Sequence, residues 1–363
     1  MGLFDVLKRA FKEPSKSNEV KVAEPRRNFD EEFTIDPILT KKLSNGLLPG
    51  EVLLIDWISG KRKSVKHSKY FERTYGIEPS KSLKKLVRQE YIAEATPAES
   101  LSSLKLPELK GALKAKQLKV SGKKADLISR INENFTEGEV GSLVGEGIAM
   151  KITPKGEEVL NEHYYIVLAH RLDSKDGVYN VANALRQVKQ FDYRPKNGDI
   201  SWGLFQQAYI EHAQEFNYGL MTNDLRHMAG QLEREKNFKR ALFQYLRIFI
   251  MDTSGLNNSP RLDHPKYMMF DIPASDTINR IVESLEMEDD ALITEFDYAW
   301  SKTIVGLKYH YLTPEECLRC LFCSMDGNHE EVEELIYNEY NRLKREMSEK
   351  TFREKYGLDF PMD

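Results

Sequence analysis

Cysteine and long hydrophobic runs are scarce in this sequence of 363 residues. The three cysteines all lie between Cys317 and Cys323, so a disulfide framework is not expected and a reducing, intracellular location fits best. No stretch approaches the roughly 18 apolar residues that a membrane span needs, and no signal peptide is visible. We therefore expect a cytoplasmic protein with no membrane association, which would be nucleoid-associated if the source is bacterial.

Familiar catalytic motifs are also missing. The sequence has no GxxxxGK[ST] phosphate loop, no GxSxG nucleophile elbow and no HExxH zinc motif. Pairs such as Asp263-His264 and Asp289-Asp290 are most simply solvated surface groups. The sequence therefore predicts a protein that is not an enzyme and holds no cofactor. An unrecognised catalytic site in the C-terminal half is the third alternative.

Charge is distributed unevenly along the chain, whose net charge is −4. Residues 1–160 hold 29 Lys and Arg against 23 Asp and Glu, whereas residues 161–363 hold 24 against 34. Within residues 41–130 the count is 20 basic against 9 acidic. A basic block in an otherwise acidic protein is typical of a polyanion-binding region, although an ordinary solvated surface has the same composition.

Residues 1–34 are predicted to form an amphipathic helix followed by a flexible tether. The helix places Leu3, Phe4, Leu7 and Phe11 on one face. The charged stretch that starts at Glu13 has no periodicity. Docking of the helix onto protein is favoured over docking onto a membrane surface.

Residues 35–100 and 141–162 are predicted to form one helical domain with a minor β wing. The pattern indicates a buried helix at Pro49–Ile58, a second helix at about 68–75 that stops at Gly76, and a third that begins near Pro79. The third helix has three apolar residues inside, Leu83, Leu86 and Val87. Its outer side carries four candidate DNA contacts, Lys81, Lys84, Lys85 and Arg88. This order of helices resembles a winged helix-turn-helix.

The wing of that family usually follows the third helix at once and ends in a phrase like LTxxGxxxL. Here the phrase comes about 60 residues later, where Thr153 and Pro154 are good residues to start a helix. The sequence therefore predicts one winged helix that is interrupted in its wing by an inserted module at 101–140.

The inserted module is predicted to have two short helices around one small core. Leu109 and Leu113 lie on the first helix, which begins near Pro107. The second helix starts after Ser121, and its inner side is formed by Leu127, Ile128 and Ile131. Some 35 residues bury little surface, so attachment to a larger domain would help to stabilise the module.

The stretch 101–135 is similar to the SAP family, whose pattern is approximately LkvaeLkeeLkxxgLxxsGkKaeLixRl. The matching residues are Leu104, Leu109, Leu113, Leu118, Ser121, Gly122, Lys123, Lys124, Leu127 and Arg130. The resemblance covers about a tenth of the chain. It implies DNA binding, often to AT-rich sequence, through the start of the second helix and basic residues of the first. Gln117 departs from the pattern, because the family commonly has Gly there.

The start of the second module helix has an unusual charge pattern. Ser121 is predicted to cap this helix, and Gly122 to let another chain approach the backbone. Lys123 and Lys124 then occupy the first turn and oppose the helix dipole, unless an external phosphate lies between them and the free N–H groups. The candidate DNA contacts of the module are Lys110, Lys114, Lys116, Ser121, Gly122, Lys123, Lys124 and Arg130. A lysine-rich bundle that binds protein is the alternative.

Residues 163–363 are predicted to be a helical interaction domain. Ala229 and Ala241 lie between large apolar residues in 223–252, a pattern that resembles one tetratricopeptide-type helix pair. An ordinary helical hairpin is the simpler alternative, since one such unit does not establish a repeat array. Either arrangement predicts a protein partner or self-association through this half.

A cluster of Cys317, Cys320 and Cys323 with His329 downstream offers four possible zinc ligands. Thr313 and Pro314 start a helix, however, which places all three cysteines inside it. At this spacing the thiols spread over about 200° around the helix axis and do not converge on one ion. Core cysteines are therefore favoured over a metal site.

Together these patterns predict a mainly α fold: a winged-helix-like domain with a minor β wing, an inserted two-helix SAP-like module and a C-terminal α-helical domain, for which a repeat-like arrangement is one alternative. The predicted function is non-catalytic DNA binding, mostly through phosphates. The alternative is a helical scaffold whose SAP-like segment binds protein.

Overall fold

The structure, a computed structural model, describes residues 34–361. These residues form a mainly helical protein with one two-stranded sheet, as the sequence predicts. The predicted amphipathic helix and nearly all of its tether, at 1–33, lie outside the described residues. Within the described part, no helix is both long enough and apolar enough to cross a membrane.

The first described helices are α1 (Pro49–Ile58), α2 (Tyr70–Arg73) and α3 (Pro79–Arg88). Nearly all of α1 is buried, as its apolar sequence predicts. Helix α2 is a single turn, shorter than the predicted 68–75, and Gly76 follows with a φ of +63°. The prediction that Val87 faces inward is wrong, because Leu83 and Leu86 fill the buried side of α3 and Val87 is 38% exposed.

Strand β1 (Ile92–Glu94) pairs antiparallel with β2 (Met150–Ile152), so that Ile92 lies opposite Ile152. Helix α8 (Pro154–Glu162) begins directly after β2, where the Thr153 hydroxyl accepts a hydrogen bond from the Gly156 N–H at 3.2 Å. A Cβ at Gly156 would lie 2.2 Å from the Tyr91 carbonyl oxygen, so only glycine lets α8 pack this closely on the end of α3. Residues 95–149 are therefore an insertion between two paired strands.

The insertion contains α4 (Pro97–Ser100), α5 (Leu106–Ala115), α6 (Lys124–Asn134) and α7 (Glu137–Val144). It has a hydrophobic core of its own, formed by Leu101, Leu104, Leu109, Leu113, Leu127, Ile131, Val140 and Val144. This core reaches Val144, beyond the predicted limit of 140, because α7 packs on α4. The module is thus larger than the two helices that the sequence predicts.

The C-terminal half of the described chain is built mainly from helices, whose connections range from a few residues to the 20 residues of 253–272. Their bounds are α9 Tyr164–Arg171, α10 Val181–Val188, α11 Asn197–Gln214, α12 Tyr218–Arg234, α13 Phe238–Asp252, α14 Pro273–Ser284, α15 Asp289–Thr303, α16 Pro314–Met325, α17 His329–Glu346 and α18 Glu349–Tyr356. One core runs across position 162, where the sequence predicts a domain boundary. The Tyr75 hydroxyl lies 2.9 Å from Nδ1 of His170, and Arg171 pairs with Asp56 across the same contact.

Three helix connections in this half have the same turn conformation. Phe216, Lys236 and Gly327 have φ of +56°, +57° and +74°. An asparagine follows each of them at the N-cap of the next helix, namely Asn217, Asn237 and Asn328. The predicted hairpin is formed by α12 and α13, with Ala229 and Ala241 fully buried. Its tetratricopeptide resemblance stays a prediction.

A buried carboxyl joins two of these helices. Oδ2 of Asp224 on α12 lies 2.7 Å from Nδ1 of His212 on α11, whereas Oδ1 of Asp224 has no hydrogen-bond partner among the described residues. Burial raises the pKa of Asp224 to about 6, and the contact with His212 opposes this rise. The folded protein therefore holds the Asp224 proton more tightly than the unfolded chain does.

Replacement of this group, Asp224→Asn, tests the linkage. A raised folded-state pKa contributes stability that is full below the unfolded pKa and is lost as pH rises through about 6. Between about pH 4 and pH 7 the wild type should lose roughly 2 kcal/mol of unfolding free energy relative to Asp224→Asn. Urea unfolding of both proteins at the two pH values measures this. A difference that does not change with pH would contradict the assignment.

Candidate nucleic-acid interface

The start of α6 is organised by the chain itself. Lys123 is the N-cap and Lys124 the first helical residue, and Oδ2 of Asp126 accepts a hydrogen bond from the Lys123 N–H at 2.8 Å. The prediction that Ser121 caps this helix is therefore wrong, because the Asp126 carboxylate caps it from within the first turn. Asp126 also offsets part of the charge that the two lysines place there.

Glycine is required at position 122 for a different reason from the one predicted. Its φ is +125°, which favours glycine, and a Cβ at this position would lie 2.8 Å from Oδ2 of Asp126. The space beside the Gly122 backbone is thus taken by the helix's own capping carboxylate. Gly122 shapes the turn, and the structure gives it no open approach for another chain on that side.

Three of the predicted DNA contacts are occupied inside the module. Nζ of Lys124 donates to the Ser102 carbonyl at 2.6 Å, which ties α6 to the segment before α5. Arg130 donates to the carbonyl oxygens of Lys119 and Ser121, and so holds the connection between α5 and α6. Lys116 donates to the Asn134 carbonyl and pairs with Glu139 at 2.6 Å. These groups stabilise the module.

Three other lysines remain available. Lys110 and Lys114 lie four residues apart on α5, so they share one face of that helix, and Lys123 lies at the start of α6. All three are exposed, and none of their side chains forms a hydrogen bond or ion pair with any described residue. Each of them can bind an external anion without breaking an internal contact, and the same holds for Lys119 in the connection after α5.

The connection between α5 and α6 begins with a tight turn at Gln117. Gln117 has a φ of +58°, a left-handed conformation that favours glycine, which the family commonly has at this position. Backbone bonds from Gln117 N to the Lys114 carbonyl and from Leu118 N to the Leu113 carbonyl close the turn. The departure from the family pattern therefore leaves the turn intact.

The module is fastened to the paired strands by polar contacts that the sequence does not reveal. The Ser100 hydroxyl accepts from the Ala149 N–H at 3.0 Å, beside a backbone bond from Ala95 to Ala149. Arg62 pairs with Glu108 at 3.2 Å, between the loop after α1 and helix α5. These contacts supply the attachment to a larger domain that the small size of the module predicts.

Two helix starts in the module could have been found from sequence. Thr96 and Glu99 cap each other at α4, and Thr136 and Glu139 do so at α7. A Ser or Thr followed three residues later by Glu is the signature of such a capping box. This signal would have placed α4 and α7 inside the module.

Helix α3 presents a second basic surface. Lys81, Lys84 and Arg88 are exposed and form no hydrogen bond or ion pair with any described residue, along an open groove of about 660 Å³. Lys85 differs, because its Nζ lies 2.6 Å from Oε2 of the buried Glu51, and that carboxylate also accepts from the Leu48 N–H at 2.9 Å. Lys85 therefore neutralises Glu51 and is a poor candidate for a DNA contact.

Residues 100–136 match the SAP domain. The match confirms the SAP-type motif and suggests a DNA-binding role. The winged-helix and tetratricopeptide resemblances are not confirmed by it, and no curated protein matches the chain.

The cysteine cluster lies apart from the SAP domain, inside α16. Cys317 and Cys320 are fully buried, which confirms the prediction of core cysteines for these two, whereas Cys323 is only half-buried. Burial raises the pKa of all three thiols, that of Cys320 to about 12. Across the described chain, no group of three or more His, Cys, Asp or Glu could hold a metal ion.

Alkylation of the native protein tests this arrangement. At pH 8, iodoacetamide should modify Cys323 slowly and leave Cys317 and Cys320 unmodified, because the thiolate is the reactive form. All three should react after denaturation. Mass spectrometry of tryptic peptides locates the label. Rapid labelling of all three cysteines upon addition of a chelator would show instead that they hold a metal.

Proposed function

We propose that this chain is a non-catalytic DNA-binding protein that contacts phosphates through its SAP domain and through α3. The observation that carries the proposal is that Lys110, Lys114 and Lys123 on the SAP domain are exposed and form no internal hydrogen bond or ion pair with any described residue. The C-terminal helical half is proposed to bind a partner or to self-associate.

The start of α6 supports a phosphate contact at Lys123. The first turn of a helix projects N–H groups that lack intrahelical acceptors and carries a partial positive charge. Asp126 accepts only the Lys123 N–H, and Lys123 extends its ammonium group without an internal partner. A backbone phosphate there would meet the helix end and the lysine together.

Helix α3, the third helix of the proposed winged helix-turn-helix, supports a second contact. Lys81, Lys84 and Arg88 are free to reach phosphates, whereas Lys85 is bound to Glu51. Lysine and arginine contacts of this kind give affinity without much sequence reading. The proposed binding is therefore largely independent of base sequence and weakens steeply with salt.

A triple charge reversal in the SAP domain tests the proposal. Lys110→Glu, Lys114→Glu and Lys123→Glu should weaken binding to a fluorescein-labelled duplex. The slope of log affinity against log salt should become shallower by about 3, or roughly 0.9 for each lost phosphate contact. Fluorescence anisotropy over a range of salt concentrations measures both quantities. Lys124 is left unchanged, because its reversal would also remove the bond to Ser102.

A matched control separates this site from the effect of net charge. Lys175→Glu, Lys189→Glu and Lys350→Glu change exposed lysines of the C-terminal half by the same total charge. The control should retain the wild-type salt slope, and both variants should keep the wild-type circular dichroism. Equal slopes in all three proteins would refute the proposed DNA contacts. Retained binding to a protein partner would then favour the scaffold alternative.

A further inference from the structure

Three helices of the C-terminal half share a surface on which cations lie over aromatic rings. Arg240 of α13 lies 5.1 Å from the Trp202 ring centre on α11. Arg247, two turns further along α13, lies 5.1 Å from the ring centre of Tyr209. The two rings are seven residues apart on α11, and the two arginines are seven residues apart on α13. The two cation–ring contacts are therefore about 10 Å apart along the helices.

The surface continues onto α15. The Phe243 and Tyr298 rings lie 5.2 Å apart, and Nζ of Lys302 lies 5.3 Å from the Tyr298 ring centre. Tyr298 is 54% exposed. We call this surface the cation–aromatic face, and its members are Trp202, Tyr209, Arg240, Arg247, Tyr298 and Lys302.

The cations of this face are not neutralised. Neither Arg240 nor Lys302 forms a hydrogen bond or ion pair with any described residue. Arg247 donates only to neutral oxygens, those of Tyr209 and Gln244, and its buried Nε has no acceptor within the described chain. Glu295, on the same helix as Tyr298 and Lys302, is paired with Lys239 at 3.1 Å.

The arrangement of these groups favours a ligand that carries negative charge and also has apolar groups. A guanidinium that lies over an aromatic ring can donate to a carboxylate from each N–H that has no internal acceptor. The two terminal nitrogens of Arg247 each keep a second N–H beside the one given to Gln244 or Tyr209. Exposed Tyr, Trp and Arg side chains are also the residue types that contribute most to protein interfaces. Uncompensated cations beside aromatic rings therefore complement an acidic segment that carries apolar side chains.

A nucleic acid fits this face less well. The half of the chain that contains it carries 24 basic against 34 acidic residues, so its overall field repels a polyanion with one charge per roughly 1.7 Å. In addition, the guanidinium groups already cover one side of Trp202 and Tyr209, whereas single-stranded binding uses open rings as stacking platforms. A short segment with a few carboxylates carries far less charge than a nucleic acid, so it is repelled less, and it does not need open rings.

We propose that the cation–aromatic face binds an acidic segment of a partner protein. This inference rests on the partner-binding part of the proposed function and assigns it a surface and a partner chemistry. Two carboxylates about 10 Å apart would engage Arg240 and Arg247, and an apolar side chain between them would contact Tyr298.

The test uses the full chain and a fluorescein-labelled peptide of about ten residues, rich in glutamate with two leucines. A second peptide has glutamine in place of every glutamate. The glutamate peptide should bind saturably, and the glutamine peptide at least about 10-fold more weakly, since charge-assisted hydrogen bonds are lost. The double variant Arg240→Gln with Lys302→Gln should weaken the glutamate peptide by a similar factor. Arg247→Lys should also weaken it, because lysine lacks the planar fork.

A matched control removes lysines that lie over aromatic rings elsewhere in this half. Lys266 and Lys355 lie over Tyr267 and Tyr356 at 5.0 and 4.9 Å, so Lys266→Gln with Lys355→Gln removes two cations from aromatic rings outside the face. This variant should bind the glutamate peptide as the wild type does. Equal weakening in the control would overturn the proposal.

Other outcomes also decide the question. No saturable binding of the glutamate peptide up to about 1 mM, or equal binding of both peptides, would overturn the proposal. Binding of a single-stranded dT oligomer that is lost in Arg240→Gln with Lys302→Gln would assign the face to nucleic acid instead. Duplex affinity should not change in that variant, and peptide affinity should not change in the triple SAP-domain variant. Failure of this inference is therefore distinct from failure of the DNA-binding proposal.

Discussion

The pairing of β1 with β2 brings together two segments that the whole of residues 95–149 separates in sequence. This ladder closes the insertion into a loop with fixed ends, and the SAP domain lies within that loop. A module of this size buries little apolar surface alone, so its stability depends on its ends being held. The Ser100–Ala149 bond and the Arg62–Glu108 pair continue that attachment beyond the strands.

The basic side chains of this small module fall into two groups, those that stabilise its fold and those that can bind an external anion. Lys116, Lys124 and Arg130 bind backbone carbonyls or a carboxylate and hold the helices together. Lys110, Lys114 and Lys123 have no such contact. A count of positive charge treats both groups alike, but only the second can exchange water for a phosphate without loss of an internal bond. Lys85 and Glu51 repeat this distinction on α3.

Much of the architecture could be predicted from local patterns. The apolar run of α1, the Thr153-Pro154 helix start and the spacing of Leu109, Leu113 and Leu127 all depend on short-range periodicity or capping. The site was less predictable. Asp126 rather than Ser121 caps α6, and the partner of Lys85 is 34 residues away in sequence. The Lys85–Glu51 pair follows from tertiary packing, which a single sequence does not display, whereas the Asp126 cap is a local contact within one turn.

The most direct test of the account is hydrogen–deuterium exchange of the full chain with and without a DNA duplex. Phosphate contact at the start of α6 should slow amide exchange in residues 119–127, and contact by α3 should slow it in residues 79–88. Residues 239–247 of the acidic half should exchange at the same rate in both states. Slowed exchange confined to the C-terminal helices, with none at the start of α6, would contradict the central claim that the SAP domain is the DNA-binding element.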